Sequence, residues 1–358
     1  MSWNDLKQDR RVLWAGYAAI GIVLAVLPFL VGAGLGNAWL RILNFAMLYI
    51  MLALGLNIVV GFAGLLDLGY IAFYAVGAYL YALLASPHFG LHWPVWAILP
   101  LGAVVAGGAG ALLGAPTLRL RGDYLAIVTL GFGEIIRIFM NNLNAPVNIT
   151  NGPQGISSID PFHVGGVTLA KPLSVLGVTV PSLHAYYYLF LLLALVIIFV
   201  TIRLEDSRIG RAWVAIREDE IAAKACGINV RNIKLLAFSM GATFGGVAGG
   251  LFASFQGFVS PESFGLMESI MVLCMVVLGG MGHIPGVILG GILLTILPEA
   301  FRHAAVPLQK YAFGKVVVDP ESLRMLLFGL ALIAVMLYRP AGLWPSATRK
   351  RELQGGSK

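Results

Sequence analysis

A few ionisable side chains interrupt otherwise apolar runs of this 358-residue chain, and they are the first candidates for chemistry. Glu134 and Arg137 lie three residues apart within one run, and Asp67 begins another. A charged group at the centre of a membrane helix costs about 2.5–3.5 kcal/mol, so such groups usually face a partner or a cavity. The spacing places Glu134 and Arg137 on one helix face, where they either neutralise each other or line a path for a charged solute. Asp67 either caps a helix or belongs to such a path.

Motifs for catalysis or for nucleotide binding are absent from the sequence. It contains no phosphate loop of the form GxxxxGK[ST] and no HExxH pair, and its six histidines are scattered along the chain. Cys226 and Cys274 fit no metal-ligand spacing. We therefore expect a non-catalytic chain that binds neither a cofactor nor a metal of its own.

Composition identifies the chain as a polytopic membrane protein. Hydrophobic residues make up 59% of it and charged residues only 11%, against about 25% charged in an ordinary soluble domain, and the mean hydropathy is +0.86. A membrane helix needs about 20 apolar residues. We predict an all-α fold of about ten transmembrane helices in a single domain, with apolar runs near residues 12–32, 39–60, 67–86, 94–114, 124–140, 186–202, 235–258, 267–282, 286–300 and 323–338. The ninth run is short and bracketed by two prolines, which predicts a half-helix or a tilted element.

The basic residues indicate how the chain is oriented. With ten spans and the N-terminus inside, 17 of the 24 Lys and Arg residues fall on the inner side and six on the outer side. This asymmetry places both termini in the cytoplasm. It also accounts for the net charge of +7 without nucleic-acid binding.

Three segments between the runs stand out. Residues 141–185, rich in Asn, Pro, Gly and Ser, predict an irregular outer loop. Residues 203–234 alternate acidic with basic side chains and predict a helical, solvated inner loop where a soluble partner binds. Residues 61–69 contain Gly61 and Gly64, which permit a bend at membrane depth, so these glycines are candidates for the pathway together with Asp67, Glu134 and Arg137. Gly241, Gly245 and Gly249 recur at fourfold spacing and predict close helix packing.

The inner loop carries a recognisable motif, EIAAKACGIN, over residues 220–229. It resembles the EAA-type motif of ABC importer permeases, in which a glutamate and an alanine pair precede a glycine. In that family the segment forms a short coupling helix that docks in a groove of the ATPase subunit. The resemblance assigns ATPase coupling to Glu220, Ala222, Ala223 and Gly227.

Further segments resemble branched-chain amino-acid ABC transporter permeases of the LivM type. The similarity extends over roughly residues 40–345 and is carried by GLLDLGY (64–70), FYAVGAY (73–79), LRLRGDYLAIVTLGFGE (118–134), GFVSPESF (257–264) and VLGGMG (277–282).

The resemblance implies a multi-subunit importer in the bacterial inner membrane. A periplasmic binding protein would deliver leucine, isoleucine or valine, a second homologous permease of the LivH type would complete the pathway, and two ATPase subunits would bind the ATP. It also implies the all-helical permease fold of the vitamin-importer-like (type II-like) class. Two alternatives remain: a permease for urea or short amides, and an ion-driven secondary transporter that uses Glu134 as its ion site.

Overall fold

A computed structural model describes residues 10–117, 120, 122–164, 167–175, 178–313, 320–339 and 342–345. Arg119 and Arg121, which are counted on the inner side, lie outside these ranges. So do the two termini, for which the sequence predicts a cytoplasmic location. The helices of the first half are α1 (Arg10–Gly34), α2 (Asn37–Asn57), α3 (Ile71–Leu84), α4 (Val95–Thr117), α5 (Asp123–Asn142) and α6 (Ser182–Glu205). The helices of the second half are α7 (Arg208–Glu218), α8 (Glu220–Ala225), α9 (Val230–Gln256), α10 (Leu266–Gly279), α11 (Ile284–Phe313) and α12 (Pro320–Tyr338).

Each predicted apolar run overlaps one of these helices, with two differences. The third run begins at residue 67, whereas α3 begins at Ile71. The ninth run predicts a half-helix or a tilted element, and α11 is not a half-helix, since it is 30 residues long and continues through Pro298 and Pro307. A proline inside a helix removes one backbone hydrogen bond and clashes with the preceding turn, at a cost of about 3 kcal/mol. Packing of α11 along α2, α10 and α12 offsets this cost and stabilises the continuous helix.

Six helical segments of the described chain are long and apolar enough to cross a membrane. They are Asn37–Phe62, Val95–Thr117, Ser182–Glu205, Val230–Gln256, Pro261–Gly279 and Ile284–Ala304. Two shorter apolar helical segments are Gly21–Gly34 and Ile71–Leu84. The most apolar part of the first of the six is 89% buried inside the protein, against 33–39% for four of the others. Helix α2 is therefore enclosed by its neighbours.

Glycine allows α9 to approach α2, α3 and α4 at backbone distance. A Cβ atom on Gly249 would lie 2.1 Å from the carbonyl oxygen of Tyr74 in α3, and one on Gly241 would lie 2.9 Å from that of Gly55 in α2. On the neighbouring stripe, a Cβ on Gly246 would lie 2.7 Å from the oxygen of Gly102 in α4. These distances leave no space for a side chain, as the fourfold spacing predicts.

Contacts between the segments that link the helices show which segments lie at the same end of the bundle. At one end the inner loop (203–234) contacts the α2–α3 link, since Arg217 Nη1 donates to Gly61 O at 2.6 Å. At the other end Arg41 Nη2 donates to Gln256 Oε1 at 2.8 Å, and His88 Nε2 lies 3.0 Å from Asn148 O. The segments in these contacts therefore fall into two groups, one at each end of the bundle.

The predicted outer loop contains short strands, so it is less irregular than its composition suggests. They are β1 (Ile156–Ser157), β2 (His163–Val164), β3 (Val167–Thr168), β4 (Leu173–Val175) and β5 (Val178–Val180). The pairs β2–β3 and β4–β5 are local antiparallel hairpins. Strand β1 instead pairs with β6 (Phe258–Val259), which follows α9. This long-range pairing joins the outer loop to the bundle.

We expect Gly249→Val to destabilise the protein, because its side chain would displace α3 from α9. Overpacking of this kind costs about 1–3 kcal/mol. Gly131→Ala is the matched control, since a Cβ on Gly131 would meet nothing within 4 Å and alanine favours a helix by about 1 kcal/mol. The measurement is the apparent melting temperature of the purified protein in detergent. Equal melting temperatures for the two variants would contradict the packing described here.

Candidate functional site

The motif at residues 220–229 forms a short helix whose two ends are both capped. Asp219 Oδ1 accepts hydrogen bonds from Ile221 N (2.8 Å) and Ala222 N (3.0 Å), which caps the first turn of α8. At the other end, Gly227 N donates to Lys224 O and Ile228 N to Ala223 O, at 3.0 and 3.1 Å. This is the Schellman pattern, which needs a left-handed residue, and Gly227 supplies it with φ of +85°. The glycine therefore terminates the helix.

The two alanines of the motif differ in their burial. Ala223 is buried, whereas Ala222 is exposed and the preceding Ile221 side chain is 75% exposed. Lys224 and Ala225 are also exposed. An exposed isoleucine among alanines leaves a flat apolar surface on α8. Such a surface suits a partner protein.

Glu220 attaches α8 to the bundle through a buried cation. Its Oε2 accepts a hydrogen bond from Lys234 Nζ at 2.8 Å, and the Lys234 side chain is only 7% exposed. A buried ammonium group requires a charged partner. Glu220 thus neutralises Lys234 at the start of α9.

Trp213 fixes α7 against the same part of α9. Its side chain is fully buried, and its Nε1 donates to Ile233 O at 2.8 Å. Ser207 caps α7 by accepting from Ile209 N and Gly210 N, at 3.2 and 3.1 Å. Sequence reasoning missed Trp213, Lys234 and Arg217, because their partners are distant along the chain and no spacing relates them.

The glycine link after α2 lies against this inner loop. Helix α2 continues as a π-helical segment, Ile58–Phe62, and Gly64 follows with φ of +70°. Gly61 O accepts the hydrogen bond from Arg217, and a Cβ on Gly64 would lie 2.5 Å from Arg217 Cγ. Next to this contact, a cleft of about 270 Å³ lies between the two segments. Its lining includes Leu66, Leu125, Ile216, Glu220 and Lys234. The structure therefore brings the predicted pathway residues Gly61 and Gly64 to the predicted coupling segment.

Asp67 is not the N-cap of α3, which corrects one of the two interpretations of this residue. The N-cap position is Tyr70, and no side chain caps it. Asp67 Oδ1 instead accepts from Gly69 N at 2.9 Å, a local turn that keeps residues 67–70 out of the helix. The residue is 2% exposed, and its Oδ2 atom has no hydrogen-bond partner. Asp67 borders a cavity of about 10 Å³ together with Thr129, close to the lower limit for one water molecule.

Glu134 and Arg137 form the predicted ion pair and share it with a third group. Arg137 Nε lies 3.0 Å from Glu134 Oε1, and Arg137 Nη1 lies 3.0 Å from Glu262 Oε1. Glu262 belongs to the 3₁₀ segment Pro261–Phe264 before α10. The three side chains are 40%, 24% and 67% exposed in the order Glu134, Arg137, Glu262. The cation therefore joins α5 to the α9–α10 link.

The candidate pathway residues form two groups, and α5 connects them. One group contains Gly61, Gly64 and Asp67, and the other contains Glu134 and Arg137. Asp67 approaches α5 at Thr129, since Leu68 N donates to Thr129 Oγ1 at 3.0 Å, and Glu134 and Arg137 lie farther along the same helix. Helix α5 is otherwise lightly covered, with Ile127, Ile135 and Ile138 at least half exposed. Within the described residues, no three His, Cys, Asp or Glu side chains are grouped to hold a metal ion.

The chain matches a family and curated relatives over most of its length. The sequence profile of the family described as "Branched-chain amino acid transport system / permease component" matches residues 38–336. The high-affinity branched-chain amino acid transport system permease protein LivM of Escherichia coli K12 is 43% identical over 94% of this chain and 76% of the relative. The LivM protein of Salmonella typhimurium is 42% identical over the same shares. The permease protein LivH of E. coli K12 is 27% identical over 82% of this chain and 90% of the relative. No solved structure matches the chain.

We expect Arg137→Met to lower the melting temperature, because Glu134 and Glu262 would then repel each other without a cation between them. The effect is small, about 0.5–1 kcal/mol, since the group is partly exposed. A double variant, Glu134→Gln with Arg137→Met, removes the repulsion.

The double variant also separates the two interpretations of the pair. If the pair only stabilises the fold, the double variant melts at a higher temperature than Arg137→Met and transports in cells. A stable double variant that does not transport would show that the charges line the pathway.

Proposed function

This chain belongs to the family of branched-chain amino acid transport system permease components, and on that premise we propose that it is one permease subunit of an ATP-driven importer for leucine, isoleucine and valine. It forms the translocation pathway with a second, homologous permease. It catalyses no reaction itself and carries no cofactor, because ATP is bound by two partner ATPase subunits.

The geometry of α8 is the observation that supports this proposal best. It is a short, doubly capped helix that presents an apolar surface outward, held to the bundle by Glu220 and Lys234. A rigid protruding helix of this kind can insert into a groove of a soluble partner. In the proposed complex the groove belongs to an ATPase subunit.

The second permease is supported by the relatives and by the exposed surface. E. coli K12 has two permease proteins, LivM and LivH, named for the same transport system, and this chain is similar to both. Among the residues that the structure describes, no element covers the apolar face of α5 or the start of α10, where Met267 is 79% exposed. We place the second permease against this surface, beside Glu134, Arg137 and Glu262.

The proposed topology has about ten membrane crossings, with both termini in the cytoplasm of a bacterial cell and the protein in the inner membrane. The grouping of the linking segments at the two ends of the bundle supports it. The loop 141–185 then faces the periplasm, where the binding protein docks. The type II-like class remains part of the proposal.

We expect two ATPases and a homologous permease to co-purify with the tagged chain, and the reconstituted complex to import leucine when ATP is supplied. Valine and isoleucine should compete with radiolabelled leucine, and urea should not. Effective competition by urea would instead assign the substrate to the urea and short-amide branch. Uptake by the chain alone, driven by an ion gradient, would overturn the proposal in favour of a secondary transporter.

We expect Glu220→Lys to abolish ATP-driven uptake, because it places two cations together at the base of α8. The swap of Glu220→Lys with Lys234→Glu restores an ion pair and is the matched control. Recovery in the swapped protein would show that Glu220 acts by holding α8 in place. A swapped protein that assembles without transporting would show that the ATPase interacts directly with the negative charge of Glu220.

A further inference from the structure

Arg217 lies where the inner loop meets two breaks between long helices. The first break is the π-helical segment Ile58–Phe62 at the end of α2, whose Gly61 O accepts from Arg217 Nη1 at 2.6 Å. The second break is the link between α10 and α11, where Gly282 has φ of +76°. A Cβ on Gly282 would lie 3.0 Å from Arg217 Nη1. One guanidinium group therefore contacts both breaks.

A hydrogen bond also joins the two breaks directly, near this guanidinium group. Asn57 Oδ1, at the last residue of α2, accepts a hydrogen bond from Gly282 N at 2.9 Å. A Cβ on Gly61 would lie 2.6 Å from Gly282 N, so only glycine permits this approach. With Gly64 against its aliphatic part, Arg217 is surrounded by glycines from both breaks. A larger residue at these positions would displace it.

A single residue, Asp219, separates α7 from α8 and is hydrogen-bonded to both helices. Asp219 ends α7, donating its N–H to Ala215 O at 3.1 Å, and its side chain caps α8. A displacement of α8 must therefore move the end of α7, where Arg217 lies two residues before Asp219. Since the segment Asn37–Phe62 is the most enclosed of the six candidate spans, a displacement of Gly61 reaches the interior of the protein.

We propose that Arg217 is a positioning residue that transmits movement of α8 to the two helix breaks, and so to α2, α10 and α11. The inference rests on the proposed function, in which the ATPases bind α8. When the ATPases move α8, the Arg217 guanidinium displaces Gly61 and Gly282 together, and the helices that follow them change position. Without this group, ATP hydrolysis continues but the helices no longer follow.

The test compares Arg217→Met and Arg217→Lys with the control Arg211→Met, in the complete complex reconstituted in vesicles. Arg211 lies on the same helix but is exposed and donates to Asp206 O within its own loop, at 2.8 Å. The control removes the same charge from α7 without touching either break. ATP hydrolysis and leucine uptake are measured in the same vesicles, and their ratio gives uptake per ATP.

We expect Arg217→Met to keep hydrolysis and to lower uptake per ATP about tenfold, the scale set by one hydrogen bond from a charged donor. Arg217→Lys keeps one donor and should recover part of the ratio. Arg211→Met should keep the wild-type ratio of uptake to hydrolysis, even if a change in ATPase binding at this exposed position lowers both rates. If the methionine variant does not assemble, the lysine variant alone decides, and a wild-type ratio overturns the inference.

Two further outcomes keep this inference separate from the proposed function. An unchanged ratio in Arg217→Met, or a parallel loss of hydrolysis and uptake, overturns the role of Arg217 while the importer remains. A wild-type complex that shows no ATP-driven leucine uptake contradicts the proposed function itself.

Discussion

Backbone contact between α9 and its neighbours is the constraint on which the rest of the fold depends. Glycines such as Gly241, Gly246 and Gly249 bring α9 against α2, α4 and α3 with no side chain between the backbones. The same helix begins within the inner loop, and its residues Ile233 and Lys234 hold α7 and α8. The position of the coupling segment is thus set by the packing of the bundle.

Two cations at the inner end, the buried Lys234 and the half-buried Arg217, are stabilised by partners from other parts of the chain. Lys234 is neutralised by Glu220, and Arg217 donates to a backbone carbonyl at the end of α2. Because a desolvated charge is costly without a partner, each of these contacts fixes the relative position of two elements. The outer group of Glu134, Arg137 and Glu262 is more exposed and correspondingly weaker as an anchor.

Apolar runs and charge alternation predicted the helices and the helical inner loop, because hydropathy and local spacing are properties of neighbouring residues. The Glu134–Arg137 pair and the terminating role of Gly227 were predictable for the same reason. Local patterns could not show that Arg217 bonds to Gly61, 156 residues away, or that Glu262 joins the ion pair. They also offered an N-cap role for Asp67 and a half-helix bracketed by Pro298, and a local turn and tertiary packing override these two signals. Such contacts depend on how helices pack, which no short window of sequence contains.

The pairing of β1 with β6 has a consequence for communication across the membrane. Strand β6 directly follows the C-terminal end of α9, and the N-terminal end of α9 holds the segment proposed to meet the ATPases. At 1.5 Å per residue, its 27 residues extend about 40 Å. In the proposed importer, a binding protein on the outer loop would therefore act on one end of α9, and the ATPases on the segment held at its other end. Substrate arrival outside and ATP hydrolysis inside would then both act on a single continuous helix.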